Sequence, residues 1–205
     1  ILYSYPMFLK ILTILLLPFW YLKVKKEWAK HPGASDLQSD PPSILLKPIN
    51  VCKNLSSNKR KLIFKESESI KESYNKMFCQ LITFVYMYKI KLPFWLLYGI
   101  AAITEETFIQ KKYIKEETIK MFDITNIKKG CKKIDNIYYH AKGYWTVRYL
   151  EEMYPGFLKE TFKDYIGEDI VEQIILKLKL RLDSEEYWQQ LDELLYDNYK
   201  HLLEN

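Results

Sequence analysis

From position 70 onward, apolar side chains recur at steps of three and four: Ile70, Tyr74, Met77, Phe78, Leu81, Val85 and Tyr88 fall on one stripe. That period is the signature of an amphipathic helix, and it predicts a long one beginning after Ser69. Pro93 then starts a second helix, with Trp95, Leu96, Gly99 and Ala102 among its apolar positions. A short helix is expected over 116–121 and a long one over 135–154, stopped by Pro155-Gly156. Further helices are expected over 157–166, 168–180 and 184–203, the last with Ser184 as N-cap ahead of Glu185-Glu186. Upstream, residues 44–51 and 61–65 have strand-like composition, with a turn over 54–58, and predict a small hairpin or sheet edge. The expected fold is mainly α (α+β), helical with a small N-terminal β hairpin.

Three segments follow from the same pattern. Residues 31–48 are rich in Pro, Ser, Asp and Gly, including Pro32-Gly33 and Pro41-Pro42-Ser43, and read as a linker. They separate an apolar segment, 1–30, from a domain over 49–205. In the first segment, residues 1–24 are apolar apart from Lys10, Lys23 and a few weakly polar positions. Three readings stay open for it: a signal, with translation starting at Met7; a membrane anchor weakened by Lys10 and Pro18; or a buried helix. The following Lys23, Lys25 and Lys26, with no small-residue cleavage site, suit an anchor better than a cleaved signal. A membrane-anchored or extracytoplasmic location is the expectation, with the membrane a partner through this segment.

Composition changes this picture little. A hydrophobic share of 48% and a charged share of 28% are those of a globular chain and argue against global disorder. Aromatic residues make up 16%, with 17 tyrosines, which favours tight helix packing or a contact surface. The net charge of +5 comes from interspersed charges, and the basic clusters at 23–30, 59–61 and 128–133 accompany no nucleic-acid-binding motif. No nucleic-acid partner is expected. Cys52, Cys79 and Cys131 are odd in number and lack C-x-x-C spacing, so neither a disulfide framework nor a zinc ribbon is expected. His31, His140 and His201 are scattered, none with a second histidine at helical spacing.

Candidate chemistry concentrates in two phrases, Phe78-Cys79-Gln80-Leu81-Ile82-Thr83-Phe84 and Leu92-Pro93-Phe94-Trp95-Leu96-Leu97-Tyr98-Gly99-Ile100-Ala101-Ala102. Cys79 and Thr83 are four apart and point the same way on a helix, the spacing at which two imidazoles converge on one metal ion. The pair of phrases resembles the active-site frame of the peptidase-MA-like (gluzincin, HExxH) zinc metallopeptidases with its chemical residues replaced. Cys79 and Thr83 stand where that family has its two histidines, Gln80 where it has the water-activating glutamate, and Tyr98 where a later helix gives the third ligand. Residues 138–154 are similar to the helix that follows the metal site in that family, and 182–188 to its short closing helix. The resemblance spans about residues 62 to 203 in the right order.

The resemblance implies a zincin-like helical domain, a degenerate member in which zinc is lost, and a remnant cleft near His140 and Tyr144 that binds a protein or peptide. Activity does not carry across: a Gln80 amide has no useful basicity, Thr83 is a poor zinc ligand and one thiolate does not make a site. No catalytic residue, metal or other cofactor is expected. Two alternatives remain beside this non-catalytic reading. One is a divergent active metallopeptidase using Cys79 or another ligand set such as His140 and Glu105. The other is a helical interaction or membrane-associated protein unrelated to peptidases, in which Cys79 and Thr83 are small packing residues and Tyr98 an interface aromatic. The carboxylate pairs Glu105-Glu106 and Glu116-Glu117 read as solvent-facing.

Overall fold

The computed structural model describes residues 33–36, 38–46, 65, 69–112, 114–124, 136–164, 167–180 and 186–204. Mainly helical architecture with one small antiparallel sheet is what the chain adopts. The sheet pairs β1, Gly33–Asp36, with β2, Ser43–Leu46, in a register that sets Gly33 against Leu46 and Asp36 against Ser43. The hairpin therefore lies inside the stretch expected to be a linker. Its Pro, Ser and Asp residues are turn chemistry: the Asp36 carboxylate accepts from the backbone N–H groups of Gln38 and Ser39, at 3.1 and 3.2 Å. Of the expected strands, 44–51 begins in β2, whereas 61–64 and the turn over 54–58 lie outside the described residues.

Helix α1, Ile70–Met87, starts where Ser69 caps it, the Ser69 hydroxyl accepting from the Glu72 N–H at 3.1 Å. A 3-10 turn, Tyr88–Ile90, and a left-handed Lys91 reverse the chain into α2, Phe94–Ile109. Pro93 suits the head of α2 because its fixed φ of −61° costs nothing there, while its carbonyl accepts from the N–H groups of Leu96 and Leu97. The expected short helix is a 3-10 segment, Glu116–Phe122. Next come α3, Asn136–Met153; α4, Phe157–Asp164; α5, Gly167–Lys177; and α6, Glu186–Tyr199, which runs into a final 3-10 turn, Lys200–Leu203. Gly156, with φ of +81°, makes the sharp corner between α3 and α4. The proposed Ser184 cap lies outside the described residues.

The main core is built around α3. Leu96 of α2, Ile119 and Phe122 of the 3-10 segment, Leu150 of α3, Ile170 of α5 and Leu195 of α6 are fully buried in one cluster. Helix α1 sits to the side, and its apolar stripe departs from expectation: Ile70 and Tyr88 at its ends are exposed, and Leu81 near its middle meets the hairpin. Gly33 makes that contact possible, since a Cβ there would lie 2.7 Å from the Leu45 carbonyl and 3.2 Å from Leu81 Cδ1. Helix α1 approaches α2 through Phe84, whose ring meets Tyr98, and through Cys79, which feels the charge of Glu105. Among the described residues no helix is long and apolar enough to cross a membrane.

Candidate functional site

Helices α1 and α2 form an antiparallel pair. Phe84 near the end of α1 meets Tyr98 in the second turn of α2, rings edge to face at 5.3 Å, and Cys79 lies one turn back beside Glu105, two turns onward. Cys79 and Thr83 are both buried on this seam. The Thr83 hydroxyl donates to the Cys79 carbonyl at 2.9 Å, the back-bond by which a helical threonine satisfies itself. Burial first, and the negative charge of Glu105 second, push the Cys79 thiol above its ordinary pKa, so it stays protonated and unreactive at neutral pH. Gln80 is half-buried beside them.

Tyr98 takes a different direction. Its ring stacks on the imidazole of His140 from α3, centroids 3.7 Å apart and planes tilted by 33°. The four positions of the resemblance thus divide: Cys79 and Thr83 are joined by a hydrogen bond in the α1–α2 seam, and Tyr98 belongs to an aromatic cluster with Phe84 and His140. Beside that cluster lies an open groove of about 440 Å³, lined by Phe94, Trp95, Tyr98 and Tyr139. Phe94 is 76% exposed at its edge. Trp188 of α6 backs the groove, its indole meeting Trp95 at 5.2 Å and Tyr139 at 6.0 Å.

Helices α2 and α3 run in the same sense, since Tyr98 meets His140 and, further along both helices, Glu106 meets Tyr144 and Arg148. Their crossing is unusually close. A Cβ on Gly99 would overlap the Gly143 carbonyl, and one on Gly143 would overlap the carbonyl of Trp95, so neither position admits a side chain at this separation. Tyr144, one turn beyond His140, is buried in the core and away from the groove lining. Its hydroxyl donates to Glu106 Oε1 at 2.9 Å and accepts from Arg148 Nη1 at 2.6 Å, and desolvation together with the Glu106 charge raises its pKa.

Of the two carboxylate pairs expected at the surface, the first is drawn inward. Glu105 is buried against the thiol side of the α1–α2 seam and Glu106 is bound to Tyr144 and Arg148. Adjacent helical residues do diverge, but α2 is covered on both flanks, so each finds a different neighbouring helix. Of the second pair, Glu116 is half-buried and Glu117 exposed. A second polar centre had no signal in the resemblance. Lys142 of α3 is fully buried, with its Nζ 2.9 Å from Asp192 Oδ1 of α6, 2.9 Å from the Tyr138 hydroxyl, in contact with the Trp188 carbonyl, and 3.9 Å above the Trp188 ring. Tyr138 donates in turn to the other oxygen of Asp192. Desolvation pulls the Lys142 pKa down to about 8, against which Asp192 works, and the same desolvation raises that of Asp192. The one cue in the sequence is a lysine inside the run Ala141 to Val147, otherwise small, apolar or aromatic.

Zinc does not fit the residues at the candidate positions. One thiol, a hydroxyl already turned to a carbonyl, a neutral amide and a stacked phenol are not the three convergent ligands and open position that a catalytic zinc needs. Among the described residues no three His, Cys, Asp or Glu side chains are grouped so as to hold a metal. Cys52, Cys131 and His31, like the basic clusters at 23–30, 59–61 and 128–133, lie outside the described residues. Family models, curated proteins and solved structures were all compared with this chain, and none matches it.

Proposed function

We propose that this chain is a non-catalytic, metallopeptidase-like helical domain that binds a protein or peptide segment in the aromatic groove beside Tyr98. The observation that carries the reading is the Tyr98–His140 stack: the position at which the resemblance places a metal ligand is an aromatic wall of an open groove. The close crossing at Gly99 and Gly143 supports it, because each glycine comes from a different phrase of the resemblance and the two meet in space. Aromatic side chains at low entropy cost are suited to gripping peptide side chains, and Phe94, Tyr98 and Tyr139 stand ready for that. Tethering through residues 1–30 completes the proposal, with the groove presented next to a membrane.

Fluorescence anisotropy with labelled unstructured peptides tests the groove. Saturable binding is expected, weakened about tenfold by a combined Phe94→Ser and Tyr139→Ser change, as loss of two aromatic anchors implies. Metal analysis is expected to find no stoichiometric zinc, and the same peptides are expected to remain intact. Chelator-sensitive hydrolysis, lost on Glu105→Gln, would overturn this reading in favour of a divergent metallopeptidase. That second reading has one observation behind it: the buried Glu105 carboxylate lies beside the Cys79 thiol.

A further inference from the structure

A second groove, of about 470 Å³, opens between the end of α1, the middle of α2 and α3, and α4. Its walls are Met87, Ile100, Ile103, Val147, Leu158 and Phe162. Of the polar side chains lining this floor, Thr104 and Glu151 are already engaged, and Tyr86 stands exposed at its edge. The Thr104 hydroxyl donates to the Ile100 carbonyl at 2.8 Å, and Glu151 Oε2 accepts from the Gly156 N–H at 3.2 Å. A peptide backbone, sugar or nucleotide laid here would lose its hydrogen bonds to water and find few in exchange, a cost of roughly 1–3 kcal/mol per buried group. An alkyl chain loses nothing of the kind and falls within the usual volume of a small-ligand cleft.

The charged groups of the lining are Glu151, on the α3 side and bound to the Gly156 N–H, and two cations along one lip. Lys159 and Lys163, one turn apart on α4, both line the groove and are exposed. Lys163 pairs with Glu160 on the open surface, a weak contact, while Lys159 has no ion pair or hydrogen bond among the described residues. We infer that this groove binds a single-chain amphiphile of the fatty-acid class, its alkyl chain along the apolar floor and its anionic head at Lys159 and Lys163. The inference is independent of the aromatic groove, which uses the first turns of α2 and not Ile100 to Thr104.

Calorimetric titration of the full 205-residue chain with monomeric dodecanoate tests it. One saturable site is expected, with dodecyltrimethylammonium weaker by about tenfold, the difference that one ion pair at a protein surface can supply. A K159E/K163E variant is expected to reverse that preference, and T104W, at an exposed position on the groove wall, to abolish binding with the circular dichroism spectrum unchanged. Equal affinity for the two amphiphiles, or dodecanoate binding that survives T104W, overturns the proposal, the latter by placing the ligand elsewhere on the chain. So does capture of an acidic amphipathic helical peptide, or of phosphatidylglycerol vesicles, by a chain that does not take up monomeric dodecanoate.

Discussion

The seam between α1 and α2 and the seams around α3 both bury polar side chains, but they settle them in opposite ways. In the α1–α2 seam the Thr83 hydroxyl is satisfied by a carbonyl of its own helix. Around α3 the bonds cross between elements: Lys142 and Tyr138 to Asp192 of α6, Tyr144 and Arg148 to Glu106 of α2, and Tyr199 of α6 to Glu152 at 2.7 Å. The Trp145 indole adds a bond to Thr118 at 2.8 Å, tying in the 3-10 segment. Locally satisfied groups can be removed without leaving a charge stranded; cross-linked ones cannot. The Thr83 hydroxyl is thus the more replaceable group, and the bonds that cross between α3 and its neighbours hold the molecule in register.

The comparison breaks most readily at Lys142. Lys142→Met leaves Asp192 charged and buried, and should cost about 3–5 kcal/mol in urea unfolding. A triple change of Lys142→Met, Asp192→Leu and Tyr138→Phe should recover most of that, because apolar replacements of a buried pair are close to neutral. If the single change costs less than about 1 kcal/mol, the α3 seams are no more demanding than the other and the contrast fails. Gly143→Ala comes next, with an expected cost of about 1–3 kcal/mol from forcing α2 and α3 apart, read as a lowered unfolding midpoint. Thr146 on α3 tests the rule from the other side. Its hydroxyl is buried with no hydrogen-bond partner among the described residues, so Thr146→Val should stabilise by about 1 kcal/mol. Thr83→Val, which removes a locally satisfied hydroxyl, should change stability by about 0.5 kcal/mol or less.

A pH series sharpens the same contrast. The folded Lys142 pKa of about 8 lies below the ordinary 10.5, so the unfolded chain holds this proton more tightly. Lys142 therefore contributes a term that makes folding more favourable as pH rises from about 8 to about 10.5. The triple variant should lack that term, and the difference between the two profiles is the measurement.

Much of the fold was legible because helical periodicity, Pro93 and the Pro155-Gly156 stop are local signals. The pairing of 33–36 with 43–46 inside the expected linker was not legible, because turn residues and linker residues are the same kinds of residue, and only pairing distinguishes them. At the candidate site, the shared direction of Cys79 and Thr83 followed from their spacing alone. The burial of Glu105 and Glu106 did not, since it depends on α2 being flanked by two helices. Lys142 stands out in an apolar run, but its pairing was illegible for a related reason: Asp192 and the Trp188 carbonyl lie about fifty residues away on another helix. Long-range charge pairing leaves no periodic trace in a sequence.

The meeting of Gly99 with Gly143 has a consequence for how this scaffold could be re-engineered. Two bare backbones in contact set the height of α2 over α3 without reference to any side chain nearby. Position 98 is adjacent to that contact, so its Cα is held at a fixed datum whatever residue is written there. A designer could exchange Tyr98 for a ligand, a dye-bearing cysteine or a crosslinker and know in advance where its first atom will stand.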